Sequence, residues 1–549
     1  MRLQAPPRLA SRDRQGVASA ARKGYVLFAV LLVTVVLSLT AYRFTDSMVM
    51  ENTVAVRSTE QVQARLSAMS GIAHAAGILA DPNILSGQLA FDVSDNAELF
   101  SGRTVGDAGR GRFSLINLSE ALDGTGTGET RYPLRYGIVD EGGKININGL
   151  ILKDPTGTVL FAALMTLPGM TQQIADSIVD WVDADSTARP EGAENDYYAG
   201  MQTPYLCKNG PLNSVDELLL VQGVTPTLLY GNDRNRNGKL EAAEDDGTAF
   251  GRGWSEYLTC YGREINVDSA GLPRLNLNGP DIKTLSEKLT ALVGQDVSDY
   301  IVYYRIKGGT AVTPVLNPLT QVAAPVSQLR DLVQKAVDAG TKPSRRVASV
   351  ITIMNTQIAL DRPPATVTTG PGNRMTVVMP PQPIVASPIN DAASLEKFLT
   401  ILLDKCTTED GFEIAPRINV NSAPLSVLAA LPGMTETDVN TIVSSRGGQS
   451  LTDPAVNTGA WLMTVAKMPP DKFKALEPYI SGRSWTYRVH SVGYSAAAGG
   501  RRGAVARVEA VIDVGTRTAD TPPAGLPRIV YFRDLTDLGR GFADLPGSQ

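Results

Sequence analysis

Behind Gly24 stand eighteen consecutive uncharged, mostly apolar residues, Tyr25 to Tyr42, and this run constrains what the rest of the chain can do. A helix rises about 1.5 Å per residue, so such a run roughly matches the hydrocarbon core of a bilayer. Ahead of it lie Arg2, Arg8, Arg12, Arg14, Arg22 and Lys23 against one acid, Asp13. That excess of positive charge is expected to hold the N-terminus in the cytoplasm and to export the remainder. A cleavable secretory signal shares the basic region and the apolar core, but it needs small residues behind the core. Leu39-Thr40-Ala41-Tyr42-Arg43-Phe44 offers little of that character, and the small residue, Gly24, stands in front. On these residues alone the run reads as an anchor that stays with the chain.

From Arg43 to Leu79 the chain is free of Pro and can extend the helix outward, with Val54, Leu66, Met69, Ile72, Ala73 and Ala76 approximating a stripe. Asp81-Pro82-Asn83 should end it. Segments 88–93, 112–118 and 132–139 alternate between Gly- and Asp-rich turns and read as antiparallel strands, as do 485–494, 504–514 and 528–532 near the C-terminus. Strands on both sides of a more helical middle imply one sheet split by an insertion. The expected organisation is a basic leader at 1–24, a transmembrane and spine helix at 25–80, the first part of the sheet at 81–148, a helical insertion at 149–480, and returning strands with a tail at 481–549.

The insertion carries a repeat. Lys144-Ile145-Asn146-Ile147-Asn148, Arg274-Leu275-Asn276-Leu277-Asn278 and Arg417-Ile418-Asn419-Val420-Asn421 share one pattern, a short strand whose Asn side chains can satisfy backbone groups and cap the next helix. After each comes a helix-hairpin-helix-like element, with Gly169, Gly294 or Gly433 in the turn and Thr171, Ser298 or Thr435 placed to start the second helix. Val221-Gln222-Gly223-Val224-Thr225 offers a further turn. Such hairpins can hold phosphates, but the first runs straight into Asp180, Asp183 and Asp185, which would repel a nucleic-acid backbone. The formal charge of −5 also becomes about −10 once a leader with six basic residues and one acid is removed. A packing scaffold without nucleic acid is the expectation.

Residues 233–244 match the calcium loop D-x-[DN]-x-[DN]-G-x₅-E at every specified position. Asp233, Asn235 and Asn237 would be side-chain ligands, Lys239 would offer its carbonyl, Glu241 would act directly or through water, and Glu244 could be bidentate. Arg234, Arg236 and Lys239 offset part of the ligand charge, which points to a structural site of modest affinity. The alternative is a polar surface turn. A second acidic group, Asp180, Asp183, Asp185, Glu191, Glu194 and Asp196, surrounds Trp181 and precedes Tyr197-Tyr198. It reads equally as a second cation site or as a solvated turn. Of the three cysteines, Cys207 and Cys260 flank the calcium loop and form the expected disulfide if the compartment oxidises; small buried thiols are the alternative. Two histidines, His74 and His490, and no nucleophile or phosphate-loop motif leave no catalytic constellation, so a non-enzymatic protein is expected.

Arg22-Lys23-Gly24 followed by Tyr25-Val26-Leu27-Phe28-Ala29 resembles the class III signal of type IV pilins and pseudopilins, which a prepilin peptidase cuts, here between Gly24 and Tyr25. Their usual fifth mature residue is Glu; here it is Ala29, as is typical of K-type minor pseudopilins of type II secretion systems. Further resemblances to that family are Asp140-Glu141-Gly142-Gly143-Lys144-Ile145-Asn146-Ile147-Asn148, Asp180-Trp181-Val182-Asp183-Ala184-Asp185, Gly192-Ala193-Glu194 with Tyr197-Tyr198, Asn209-Gly210-Pro211-Leu212, Ser214-Val215-Asp216-Glu217-Leu218 and Asn419-Val420-Asn421-Ser422-Ala423-Pro424. The resemblance implies an α+β fold, a pilin-like long N-terminal helix plus antiparallel sheet with a large, mainly α-helical insertion of helix-hairpin-helix (SAM-like) units. It also implies calcium in the insertion, a single-pass place in the inner membrane with the bulk periplasmic, and a position at the pseudopilus tip beside I-type and J-type partners, where it initiates or caps assembly. The fuller calcium loop and the Pro-rich stretch 310–395, expected to be loop-rich with helical pieces, depart from the family. The competing reading is a membrane-anchored, calcium-binding helix-hairpin-helix protein that binds DNA or a surface ligand.

Overall fold

The computed structural model describes residues 18–81, 83–106, 111–120, 134–237, 241, 244, 251–312, 316–317, 320–369, 371, 375–447, 449–496, 502–515, 527–539 and 541. The fold is α+β. One helix, Ala18–Ala80, runs through the apolar segment and on into the folded body, ending at the expected place. Residues 25–42 are exposed along their whole length, and this is the one helix among the described residues long and apolar enough to cross a membrane.

Its C-terminal part packs on a sheet of seven strands. Gly111–Asn117 and Thr486–Ala496 pair antiparallel, from Ile116 opposite His490 to Gly111 opposite Ser495. Arg502–Asp513 and Arg528–Asp534 extend the sheet on one side, Arg103–Val105 on the other, and the short strands Arg135–Tyr136 and Val139–Asp140 join from the N-terminal part. One sheet is thus assembled from chain ends separated by the whole insertion. The segment 88–93, expected as a strand, is not one: a π-helical turn, Ile84–Gln88, leads into irregular chain whose Leu89 and Val93 fill the space beside the helix end. Of the expected strand 132–139, residues 132 and 133 lie outside the described residues, and the rest forms the two short strands.

The helix face that meets the sheet also differs from the expected stripe. Ala64, Ala68, Ile72, Ala75, Ile78 and Leu79 are buried, whereas Val54, Leu66 and Met69 are exposed. Close approach explains the difference. A Cβ on Gly493 would lie 2.2 Å from both Ala64 O and Ala68 N, and one on Gly71 would lie 2.1 Å from Ser491 Oγ. Only small residues let the two backbones touch, so the larger side chains turn outward. Gly493→Val is expected to force helix and sheet apart at a cost of about 1–3 kcal/mol or more, visible as a lowered Tm.

The insertion is built from three clasped units. Ile145–Asn146 pairs in parallel with Leu258–Thr259, Leu275–Asn276 with Cys406–Thr407, and Ile418–Asn419 with Ile480–Ser481. In each unit the second Asn of the motif closes the clasp. Asn148 Nδ2 donates to Leu212 O and Cys260 O, Asn278 Nδ2 to Val347 O and Thr408 O, and Asn421 Nδ2 to Val456 O and Gly482 O. The Oδ1 atoms accept from Leu212 N, Val347 N and, in the third unit, Trp461 Nε1. These amides answer buried backbone groups that short strands leave open, which is why the motif recurs. The hairpin glycines 169, 223, 294 and 433 all have φ between 69° and 82°. Thr171 and Thr435 cap the second helices, but Ser298 does not: its helix, Gln295–Lys307, begins three residues earlier, and its Oγ donates to Ser286 O.

The Pro-rich stretch is loop-rich with a helix, as expected, but it also carries short strands. Thr310–Ala311, Gln321–Ala324, Thr356–Ala359 and Gln382–Ala386 form a mixed sheet, Thr366–Thr369 and Met375–Val378 a hairpin, and Gln328–Asp338 a helix. Pro383 lies within the interior strand Gln382–Ala386, opposite Val322, and these strands are only two to five residues long, which the uneven polarity concealed.

Where the sheet's second face meets the insertion, Arg488 bridges Glu141 and Glu509, Lys144 lies 3.3 Å from Glu141, and His490 adjoins them. Burial works to raise Glu141 and Glu509, but the Arg488 guanidinium overrides it and holds both carboxyls at about 2. Burial lowers His490 from 6.5 to about 4. All three shifts are downward, so their stabilisation is complete above the ordinary values and lost on acidification. The seam's contribution to stability should therefore fall as pH drops from about 6.5 towards 4 through His490, then further through Glu141 and Glu509, while the raised Asp180 and Asp183 carboxyls act in the opposite direction over the same range. The difference in denaturant midpoint between the parent chain and His490→Gln should change between pH 6.5 and 4; a difference independent of pH would refute the assignment.

Candidate functional site

The acidic group in the first unit is organised by the helix Gln172–Val182, whose end delivers Asp180, Trp181 and Asp183 to one place. Carboxylate oxygens of Asp183, Asp185 and Glu194 lie within 4.8 Å of one another. Asp183 and Glu194 are buried, and Asp183 Oδ1 and both Glu194 oxygens have no hydrogen-bond partner. Burial, then Asp185 and Glu194, push Asp183 up to about 6; burial chiefly pushes the adjacent Asp180 up to about 7. Buried carboxylates with open lone pairs, all facing one point, are the donor set a hard cation takes.

The surrounding motifs serve this geometry. Asp180 accepts from Arg189 N at 3.2 Å and is crossed so closely by Gly192 that a Cβ there would lie 1.9 Å from its Oδ2, which lets the Glu194 segment come in. Trp181 and Tyr198 meet edge to face at 5.1 Å, and Trp181 Nε1 donates to Glu217 Oε1 at 3.1 Å, which ties in the segment after Ser214. Asn209, at φ 44°, donates through Nδ2 to Asp185 O and secures the exposed ligand's backbone. Glu191 and Asp196 are exposed and stand outside the three-carboxylate group. The sequence reading missed Asp176, which holds Arg189 at 2.8 Å and which nothing in residue type alone marks, and it noted Asn209 in a family motif without assigning it to this site.

The disulfide is not formed. Cys207, Cys260 and Cys406 are free and buried. Cys207 Sγ donates to Asp180 O at 3.6 Å, while Cys260 follows a clasp strand and offers its carbonyl to Asn148. Burial pushes these two thiols up to about 11 and 12, so both stay protonated inside their own packing.

In the loop beginning at Asp233, five of the six expected ligands can be placed; Lys239, with Gly238 and Leu240, lies outside the described residues. Asn235 Nδ2 and Asn237 Nδ2 reach Glu241 at 3.0 and 2.6 Å. Glu244 Oε1 accepts from Arg234 N and Asn235 N, its Oε2 from Glu241 N, and Asp233 Oδ1 accepts from Asn237 N at 3.1 Å. Glu241 is lowered chiefly by its hydrogen bond with Glu244, whose own carboxyl is raised by burial and by Glu241. Asn235 Oδ1 is buried without a partner. The loop thus ties Asn235, Asn237, Glu241 and Glu244 together through hydrogen bonds of its own; its oxygen-bearing residue types are those calcium takes, but Asp233, Glu241 and Glu244 do not converge as the three carboxylates of the first unit do. Among the described residues before it, no full EF-hand helix leads into the loop; Pro226–Tyr230 is five residues long.

Residues 143–230, which contain the three-carboxylate group, match the family model for type II secretion system protein K. Curated proteins of that description are similar to this chain: 34% identity over 97 residues with the one from Pseudomonas aeruginosa, 28% over 152 with that of Pectobacterium carotovorum subsp. carotovorum, and 44% over 57 with that of Aeromonas hydrophila. These alignments span 16, 26 and 10% of this chain and 29, 44 and 17% of the relatives, less than half of each. A solved structure, the GspK-GspI-GspJ complex of enterotoxigenic Escherichia coli, aligns over 87% of this chain and 97% of its own at 12% identity and a TM-score of 0.36. The resemblance to K-type minor pseudopilins thus rests on the segment that carries the carboxylates.

Calcium at 100 times its Kd should add about 2.7 kcal/mol per site. Thermal unfolding of the full chain should rise with calcium, lose part of the rise in Glu194→Gln and a separate part in Glu244→Gln. A full rise in both variants would show that neither group holds the ion.

Proposed function

We propose that this chain is a minor pseudopilin of a type II secretion system, which sits at the tip of the pseudopilus and initiates or caps its assembly. The observation that carries the reading is the long helix: its first part is apolar and exposed on all sides, and its last part is fastened to a sheet made from both ends of the chain. Such a helix has to be covered by lipid or by other helices. Residues 25–42 enter the inner membrane and then the filament bundle, with the basic N-terminus cytoplasmic and the body periplasmic. Ala29 stands where an extending subunit carries the Glu that neutralises a neighbour's terminal amine, so this subunit has no means to join below another in the usual way. I-type and J-type minor pseudopilins are the partners in this reading, and the role is structural, without catalysis. Calcium bound by Asp183, Asp185 and Glu194, and by the loop from Asp233 to Glu244, would stiffen the insertion that forms the cap.

Cleavage by a prepilin peptidase tests the reading. Intact mass and N-terminal sequencing of the membrane-extracted protein should give a methylated Tyr25 start, dependent on co-expression of that peptidase. An intact Met1, or a cut behind the apolar run, would overturn it.

A further inference from the structure

The loop that opens at Asp233 belongs to the insertion, yet it is held from the sheet. Arg507, buried on the strand Arg502–Asp513, donates Nη1 to Asn235 O at 2.8 Å and Nη2 to Arg236 O. The same Nη1 lies 3.4 Å from Gly539 O. Gly541, at φ 65°, passes so near that a Cβ on it would meet Nη1 at 2.6 Å, and its carbonyl accepts from Asn237 Nδ2 at 2.8 Å. Between the ligands Asn235 and Asn237 stands Arg236 at φ 52°, a left-handed conformation that a long side chain rarely adopts. Its own guanidinium lies 3.7 Å over the Tyr230 ring, so the turn is pinned at both its side chain and its carbonyl.

We propose that Arg507 is a positioning residue for the cation loop, so that ion binding there and docking of the C-terminal strands onto the insertion stabilise one another. The proposal rests on the reading of this loop as a calcium site. A guanidinium keeps its charge and its planar fork, which suits it to hold two successive carbonyls. With Asn235 O and Arg236 O directed to Arg507, the left-handed turn is set before an ion arrives, and the side chains of Asn235 and Asn237 are left to face Glu241. Any group that favours the binding geometry must in turn be favoured by the ion, because the coupling is reciprocal. An ion in the loop should therefore tighten the strand Arg502–Asp513, whose Arg507 is 271 residues away in sequence from Arg236.

The test uses the full chain in detergent with calcium alone, in a Glu194→Gln background that silences the other group. Titration calorimetry should show calcium binding weakened about tenfold or more in Arg507→Gln, the size expected for a residue that orients ligands, with Arg507→Lys in between. In the chain with Arg507 intact, calcium should slow amide hydrogen exchange across 502–513 more than across 103–105; this decides the matter if the variant fails to fold. Unaltered affinity in Arg507→Gln, or uniform exchange protection, overturns the coupling. If Glu244→Gln leaves the calorimetric binding unchanged, the loop is not the calcium site and the reading of the loop falls with the proposal. If Glu244→Gln abolishes binding while Arg507→Gln does not, only the coupling falls.

Discussion

The contact between the long helix and the strand Thr486–Ala496 is the constraint on which the rest of the molecule depends. At Gly493 the strand backbone lies against the helix backbone at Ala64 and Ala68, an approach that no larger residue permits. Residues on that face of the strand, Val489, Ser491 and Gly493, belong to the helix; those on the other, Arg488 and His490, belong to the charged seam with the insertion. Strand alternation thus makes one element the partner of two bodies. An exposed apolar helix can transmit position to the folded body only if its lower part is rigidly seated, and the small-residue interface supplies that seat.

The insertion solves a different problem. A stretch of more than 300 residues between paired strands has to close on itself without a long sheet of its own. It does so with three two-residue parallel clasps, each sealed by an Asn that answers both a carbonyl beyond the closing strand and a loop in the middle of the unit. At the ends of the second hairpin helices the units diverge. In the second and third, Arg305 and Arg446 turn back onto motif carbonyls, Leu277 O and Val420 O respectively. In the first, that end of the helix carries Asp180 and Asp183 instead, and the unit gathers acids where the others place a cation. The family match falls on this unit.

Much of this was legible in the chain itself. The spine, its end near Asp81, the strand pairs at both termini, the three N-x-N motifs and the positive-φ hairpin glycines all depend on local signals: uninterrupted apolarity, alternation, a breaker, a residue without Cβ. Ser298 and the stripe through Leu66 and Met69 were misread because helix start and helix face are decided by what packs against them, here Gly294 and a sheet that admits only small residues. The strands of the Pro-rich stretch were missed because strands of two to five residues carry too little alternation to read. The disulfide was misread because nearness to one loop says nothing of where two thiols point.

The sequence by itself determined that this chain carries a membrane-compatible helix near its N-terminus, that oxygen-bearing residues crowd two stretches, and that its middle repeats an N-x-N motif, since hydropathy, charge and turn chemistry are properties of neighbouring residues. Only the tertiary structure decided which acids meet, bringing Asp183 and Asp185 to Glu194 while leaving Glu191 and Asp196 in solvent. It also decided that the loop at Asp233 is held by Arg507 from a strand beyond the whole insertion. Convergence of that kind depends on how the clasps orient each unit, and no spacing along the chain records it.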